Sequence, residues 1–198
     1  MFASSISDLP SRVQELTYEQ LNLRANQLAH FLVSRNVKPD DLVCICMEKS
    51  LNLYISILAS MKAGAGYLPI TPETPTDRTR LILEEAEVNI CLTDSTSRPR
   101  LERIEGFQSR AVFDVREIQV SDYPRSNPVV ECHGSSLAYA VFTSGTSTGR
   151  PKGVLVTRDN LLSNLKVLNG IYPAYENARL LQACSQAFDV SVFEIFFA

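Results

Sequence analysis

Residues Leu137 to Val156 read LAYAVFTSGTSTGRPKGVLV. An apolar run enters a loop of hydroxyl residues and glycine, passes through Arg150-Pro-Lys-Gly153, and resumes as Val154-Leu-Val156. The two apolar runs predict a hairpin with strands at about 138–142 and 153–156. The loop between them is suited to a polyphosphate. Glycine lets backbone N–H groups approach closely, hydroxyls donate hydrogen bonds, and a lysine adds a point charge. Ser, Thr, Gly and Pro are also the ordinary residues of turns, so composition alone describes a plain hairpin more often than a phosphate site. Order separates the readings. Gly149 is followed by Arg150-Pro151-Lys152-Gly153 and then an extended apolar run. A Walker A loop requires Gly-Lys-Ser/Thr opening a helix, so nucleotide kinases and GTPases drop out.

Outward from the loop, segments alternate in the manner of an α/β fold. Thr17 to about Asn36 reads as a helix, with Leu21, Ala25, Leu28 and Leu32 on one face and a Thr17-x-x-Gln20 capping box. Leu42 to Met47 is a strand apolar enough to be buried on both faces. Ser50 caps a second helix that stops near Gly64. Tyr67 to Ile70 is extended, Asp77 to Ala86 helical, and Val88 to Leu92 a strand. The stretch from Asp94 to Ser136, rich in Arg, Ser and Pro, offers one strand candidate near Ala111–Phe113. After the hairpin come a helix from Arg158 to Leu168, a strand at Leu180–Ala183 and a helix from Val190 onward.

The 198 residues are 45% hydrophobic, enough to bury a core. A net charge of −3 makes no electrostatic case for nucleic acid or an anionic membrane. No apolar run reaches bilayer length, and the N-terminus lacks the form of a secretory signal. Cys44, Cys46, Cys91, Cys132 and Cys184 are odd in number and sit mostly within apolar runs. They read as reduced buried thiols, consistent with the cytoplasm. With only His30 and His133 present, a His-based metal site is not expected.

The loop resembles the signature loop of the adenylate-forming (AMP-binding) enzymes, usually Tyr/Phe-Thr-Ser-Gly-Ser/Thr-Thr-Gly-x-Pro-Lys-Gly. Three residues stand between Gly145 and Gly149 where the usual form has two. Other stretches match in the family's order. Leu16-Thr-Tyr-Glu-Gln-Leu21 with Arg24-Ala-Asn26 resembles its opening motif, and Met61-Lys-Ala-Gly-Ala-Gly-Tyr-Leu-Pro69 its second, with Thr71 where Asp is common. Pro75-Thr-Asp-Arg78 through Leu92-Thr-Asp-Ser95 follows the pattern, as does Val156-Thr-Arg-Asp-Asn-Leu161, with Arg158 in place of the usual His. Phe188-Asp-Val-Ser-Val-Phe-Glu-Ile-Phe196 resembles the Phe-Asp-x-Ser-x-x-Glu-Ile motif of the adenylation domains of non-ribosomal peptide synthetases.

The resemblance implies an α/β fold: the N-terminal part of the large subdomain of an adenylate-forming enzyme, a parallel-rich sheet flanked by helices. It implies that Thr143, Ser144, Gly145, Thr146, Ser147, Thr148, Gly149 and Lys152 hold the phosphates of ATP. It implies that Asp189 binds the amino group of an amino acid, beside Phe188 in the substrate pocket. A carboxylate suits a partly desolvated ammonium. The plainer reading of Asp189 is a helix start, with Ser191-x-x-Glu194 as a capping box. The implied reaction joins an amino acid to Mg-ATP, giving aminoacyl-adenylate and pyrophosphate. Delivery to a phosphopantetheine carrier domain follows, with a condensation domain alongside. No catalytic residue or metal ligand of the family falls within residues 1–198, and its small C-terminal subdomain is not among them. The expectation is therefore an N-terminal fragment of an adenylation domain, inactive alone and exposing apolar surface from Val192 to Phe197. The alternatives are an adenylate former acting on aryl or fatty acids, or a non-catalytic remnant.

Overall fold

The computed structural model describes residues 14–105, 107, 111–143, 150–172 and 178–197. Thr17 opens α1 (Tyr18–Ser34) with the predicted capping box: Gln20 N–H donates to the Thr17 hydroxyl at 3.1 Å, and Thr17 N–H to Gln20 Oε1 at 3.0 Å. Ser50 precedes α2 (Leu51–Lys62) in an extended conformation, but its side chain makes no capping bond. It marks the helix start by position only. A further capping box, which the sequence reading did not single out, joins Thr157 and Asn160 at the start of α5 (Arg158–Ile171).

α1, α2 and α3 (Thr76–Glu85) end in the same way. Val37 N–H returns to Leu32 O at 3.2 Å, Ala65 N–H to Ser60 O at 3.0 Å, and Val88 N–H to Leu83 O at 3.2 Å. The residue before each donor has positive φ: Asn36 at 63°, Gly64 at 90° and Glu87 at 49°. This is the Schellman turn, which satisfies end carbonyls and buries the apolar residue that follows. Val37, Ala65 and Val88 are all buried. Each turn aims the chain into a strand: β1 (Leu42–Cys46), β2 (Gly66–Ile70) and β3 (Ile90–Thr93). Gly64 suits its turn doubly, because an added Cβ would lie 2.8 Å from Val130 Cγ1.

These strands join β4 (Ala111–Asp114), β5 (Leu137–Thr143) and β6 (Lys152–Thr157) in one six-stranded sheet, ordered β4-β3-β1-β2-β5-β6. All neighbouring pairs are parallel except the β5–β6 hairpin. The period of two explains the layering. Val43, Ile45, Ile90 and Leu92 pack under α1 and α2, while Cys44, Cys46, Cys91 and Leu68 face α3. Helices therefore cover both faces, as a parallel sheet of continuous apolar strands requires. No disulfide forms among the described residues, and Cys44, Cys46 and Cys91 are buried.

Two expectations are corrected. Leu180–Ala183 is not a strand. No strand of the described residues lies beside it, and side chains take its polar groups: Lys49 Nζ donates to Ala183 O at 2.9 Å. Val192 to Phe197 is not exposed either. Val192 is buried, and Phe196 packs against the core from α6 (Val190–Phe196). Exposed apolar residues occur instead on β6 and α5, among them Val154, Leu155, Val167 and Ile171, and at Leu180, Leu181, Phe188 and Val190, before and at the start of α6.

The stretch from Asp94 to Ser136 holds more order than its composition suggests. The buried Asp94 carboxylate accepts from Glu48 N–H at 3.0 Å, Thr96 N–H at 3.1 Å and Ser97 N–H at 2.7 Å. It so joins the ends of β1 and β3 to the short helix α4 (Arg98–Leu101). Burial alone raises its pKa, but these backbone donors outweigh burial and hold it below the usual value. A lowered native pKa contributes stability that is present above the unfolded value of about 4 and lost as pH falls through the native value. Asp94→Ala strands buried donors and is expected to cost about 3 kcal/mol at neutral pH. Asp94→Asn is expected to lose the acid-dependent part of the denaturation profile. Urea melts from pH 3 to 7 test both, and an Asn variant with the wild-type acid profile would overturn the assignment.

Candidate active site

A cleft of about 690 Å³ opens where the β5–β6 hairpin, the turn after β2 and the segment leading into α6 converge. Each wall has its own local origin. Thr71 and Thr74 form a turn, with Thr74 N–H to Thr71 O at 3.0 Å and their hydroxyls 3.0 Å apart. Thr79 Oγ1 donates to Pro75 O at 3.2 Å, and the Arg100 guanidinium donates to Thr74 O. The hairpin presents Val141, Phe142, Val154 and Val156. Gly153 stands opposite Phe142, and an added Cβ there would lie 2.9 Å from the ring, so the position admits only glycine without a shift.

Thr143 ends β5 and pairs across the hairpin with Lys152, whose carbonyl accepts from Thr143 Oγ1 at 3.4 Å. Ser144, Gly145, Thr146, Ser147, Thr148 and Gly149 lie outside the described residues. Thr143 lines the cleft; Lys152 is exposed at the start of β6 and is not on the cleft wall.

Phe188 and Asp189 form the opposing wall, and both are exposed. Asp189 stands at the N-cap position of α6 but makes no capping bond with its side chain. The capping box proposed for Ser191 and Glu194 is absent. Ser191 is already inside the helix, and its hydroxyl donates to Phe188 O at 2.6 Å. Glu194 turns back to accept from Cys184 N–H at 3.0 Å and Gln182 Nε2 at 3.2 Å. Burial acts to raise the Glu194 pKa, but the Cys184 bonds outweigh it and hold it low. The Asp189 carboxylate is thus left to the cleft. Its charge is felt at Tyr139, whose phenol is pushed up first by burial and then by Asp189.

The segment carrying Asp189 is docked by groups that sequence reasoning passed over. Gln186 is buried and donates to Met47 O at 3.1 Å. Tyr54 OH donates to Gln182 Oε1 at 3.3 Å. The structure also brings in Arg78, whose Nη2 donates to Thr143 O at 3.1 Å and Phe142 O at 3.4 Å. Its signal was present in the Pro75-Thr-Asp-Arg78 run, but without a role. Arg158, standing where His is usual, is buried in part and donates to Met61 O at 2.6 Å, tying α5 to the end of α2. Among the described residues no cluster of His, Cys, Asp and Glu fits a metal ion, and no helix is long and apolar enough to cross a membrane.

The sequence profile described as AMP-binding enzyme matches residues 4–198. Nonribosomal peptide synthetase 2 of Cochliobolus heterostrophus is 54% identical over 182 residues, which are 92% of this chain and 3% of that protein. Malpinin synthetase of Mortierella alpina is 39% identical over 184 residues, 92% of this chain and 2% of that protein. The chain thus spans a few per cent of these relatives' length. Among solved structures, the nonribosomal peptide synthetase FmoA3 in its α-methyl-L-serine-AMP bound form matches with a TM-score of 0.82 at 28% identity, over 92% of this chain and 20% of that one. Its AMPPNP-bound form matches with a TM-score of 0.81 at 28% identity, over 92% of this chain and 19% of that one.

Proposed function

Because this chain belongs to the AMP-binding enzyme family, we propose that it forms the N-terminal part of an adenylation domain, acting in a non-ribosomal peptide synthetase to activate an amino acid with ATP. The observation that carries the reading is the sharing of one cleft by Thr143, at the root of the candidate phosphate loop, and Asp189, a carboxylate left without a capping role. The hairpin end receives the polyphosphate and Asp189 receives the ammonium. Val141, Val154, Val156 and Phe188 supply apolar surface for a bound substrate to cover, which lowers the local dielectric around both interactions.

In the reaction the amino acid carboxylate attacks the α-phosphorus in line and pyrophosphate leaves. Catalysis of such a step is positioning plus stabilisation of charge on the leaving group. Residues Thr143 to Lys152 bind the leaving end, and Asp189 fixes the amino acid so that its carboxylate points toward the nucleotide. Mg²⁺ enters with ATP as part of the substrate, held mainly by phosphate oxygens and water. The aminoacyl product passes to a phosphopantetheine thiol on an adjacent carrier domain, with a condensation domain as further neighbour, and the work is cytoplasmic.

The test is ATP–pyrophosphate exchange by the full-length natural polypeptide with a panel of amino, aryl and fatty acids. Exchange that depends on an amino acid is expected. Exchange driven only by aryl or fatty acids would place the chain with the acyl-activating ligases, and absence of both exchange and ATP binding would identify a non-catalytic relic.

A further inference from the structure

Among the described residues, the cleft wall carries two formal charges, Arg78 and Asp189. Asp189 is matched to an ammonium in the functional reading above, and the inference that follows rests on that reading. Arg78 stands at the other chemistry. It lies in the first turn of α3, where a cation opposes the helix dipole, so the helix itself does not favour it there. Its Nη2 is engaged by two successive main-chain carbonyls, Phe142 O and Thr143 O, at the last residues of β5. Those carbonyls end the strand that leads to the candidate phosphate loop. Left alone, two partly negative oxygens at this place would repel an incoming polyphosphate. The guanidinium cancels that charge, fixes the strand end, and keeps a cation on the cleft wall.

We propose that Arg78 is a positioning residue for the anionic end of the cleft: it holds the end of β5 and makes that end electropositive for the phosphates of ATP. Arg suits the task better than Lys. Its Nη2 alone meets both carbonyls, which leaves the rest of the delocalised guanidinium to present charge, whereas an ammonium serving both carbonyls would commit its single nitrogen to them.

The experiment uses the full-length natural polypeptide and its Arg78→Gln and Arg78→Lys variants. ATP binding is read by titration calorimetry, and KM for ATP and for the amino acid by pyrophosphate exchange. Arg78→Gln is expected to weaken ATP binding about tenfold and to raise KM for ATP in step, with KM for the amino acid within about twofold of wild type. Arg78→Lys is expected to recover part of the loss, because charge returns but its single nitrogen is shared between the carbonyls and the anion. A thermal midpoint close to wild type accompanies this pattern. Unchanged ATP affinity in Arg78→Gln, or equal rises in both KM values with a lowered midpoint, overturns the proposal and leaves the functional reading intact. Failure of the wild-type polypeptide to bind ATP overturns both together.

Discussion

Asp189→Ala is expected to lower kcat/KM for the amino acid about 100-fold or more in pyrophosphate exchange, with ATP affinity within about twofold of wild type. The size follows from the proposed partner. A charge-assisted bond between carboxylate and ammonium contributes about 1.5–3 kcal/mol, and an ammonium left unpaired in a partly closed cleft adds a desolvation cost. Asp189→Asn keeps the shape and an acceptor but loses the charge, so an intermediate fall is expected. Folding is a clean control. Asp189 is exposed and its side chain caps nothing, so neither variant is expected to change stability by more than about 0.5 kcal/mol. A second readout is independent of turnover. The Asp189 charge helps to raise the Tyr139 phenol, so Asp189→Asn is expected to bring that pKa down toward the ordinary tyrosine value. Equal loss of ATP binding and amino acid binding, with a lowered unfolding midpoint, would reduce Asp189 to a helix-start residue.

Tyr67→Ala is expected to be the most destabilising of these substitutions, costing about 4 kcal/mol, a large part of the net stability of a typical folded domain. Tyr67 is 1% exposed, in the second strand of the parallel part of the sheet. Its ring lies 5.6 Å from Tyr139 on β5 and 6.2 Å from Phe196 on α6. It therefore packs between the strand that ends at Thr143 and the helix that begins beyond Asp189. Truncation leaves a cavity and removes the contact that sets the two cleft walls against each other. Tyr67→Phe is expected to behave in the opposite way. The Tyr67 hydroxyl is buried without a hydrogen-bond partner among the described residues, so its loss is neutral or stabilises by about 1 kcal/mol. Guanidinium denaturation of the two variants separates ring packing from the hydroxyl. A Phe variant as damaged as the Ala variant would show that the hydroxyl has a partner.

Much of the fold was legible because its signals are local. The Thr17–Gln20 box, the Leu21 to Leu32 face and the apolar run Leu42–Met47 each place one element without reference to the rest of the chain. The hairpin was equally legible, since two apolar runs joined by turn residues pair with each other. Leu180–Ala183 failed for the converse reason: an apolar run becomes a strand only beside a partner, and here Lys49 takes the Gln182 and Ala183 carbonyls while Glu194 takes the Gln182 side-chain amide. The capping pattern at Ser191 and Glu194 failed because Glu194 has a better use at Cys184 N–H, ten residues back in the chain. The order hidden in Asp94 to Ser136 was illegible because its anchors are distant: Asn26 of α1 donates to Arg125 O at 2.6 Å, and Gln27 to Tyr123 O at 3.2 Å.

The sequence by itself determined the alternation of strand and helix, the hairpin, the AMP-binding resemblance and the identity of Asp189 and Thr143 as site candidates. The alternation and the hairpin follow from residue type, period and spacing, which a linear chain displays, and the site candidates follow from the resemblance. Only the tertiary structure decided that Asp189 and Thr143 share one cleft, that Asp189 is free of a capping duty, and that Arg78 supplies the positive charge beside the hairpin. Those facts depend on where β2, β5 and α6 meet. That meeting is set by packing of Tyr67, Tyr139 and Phe196, residues that lie far apart in sequence and become neighbours only when their rings leave water together.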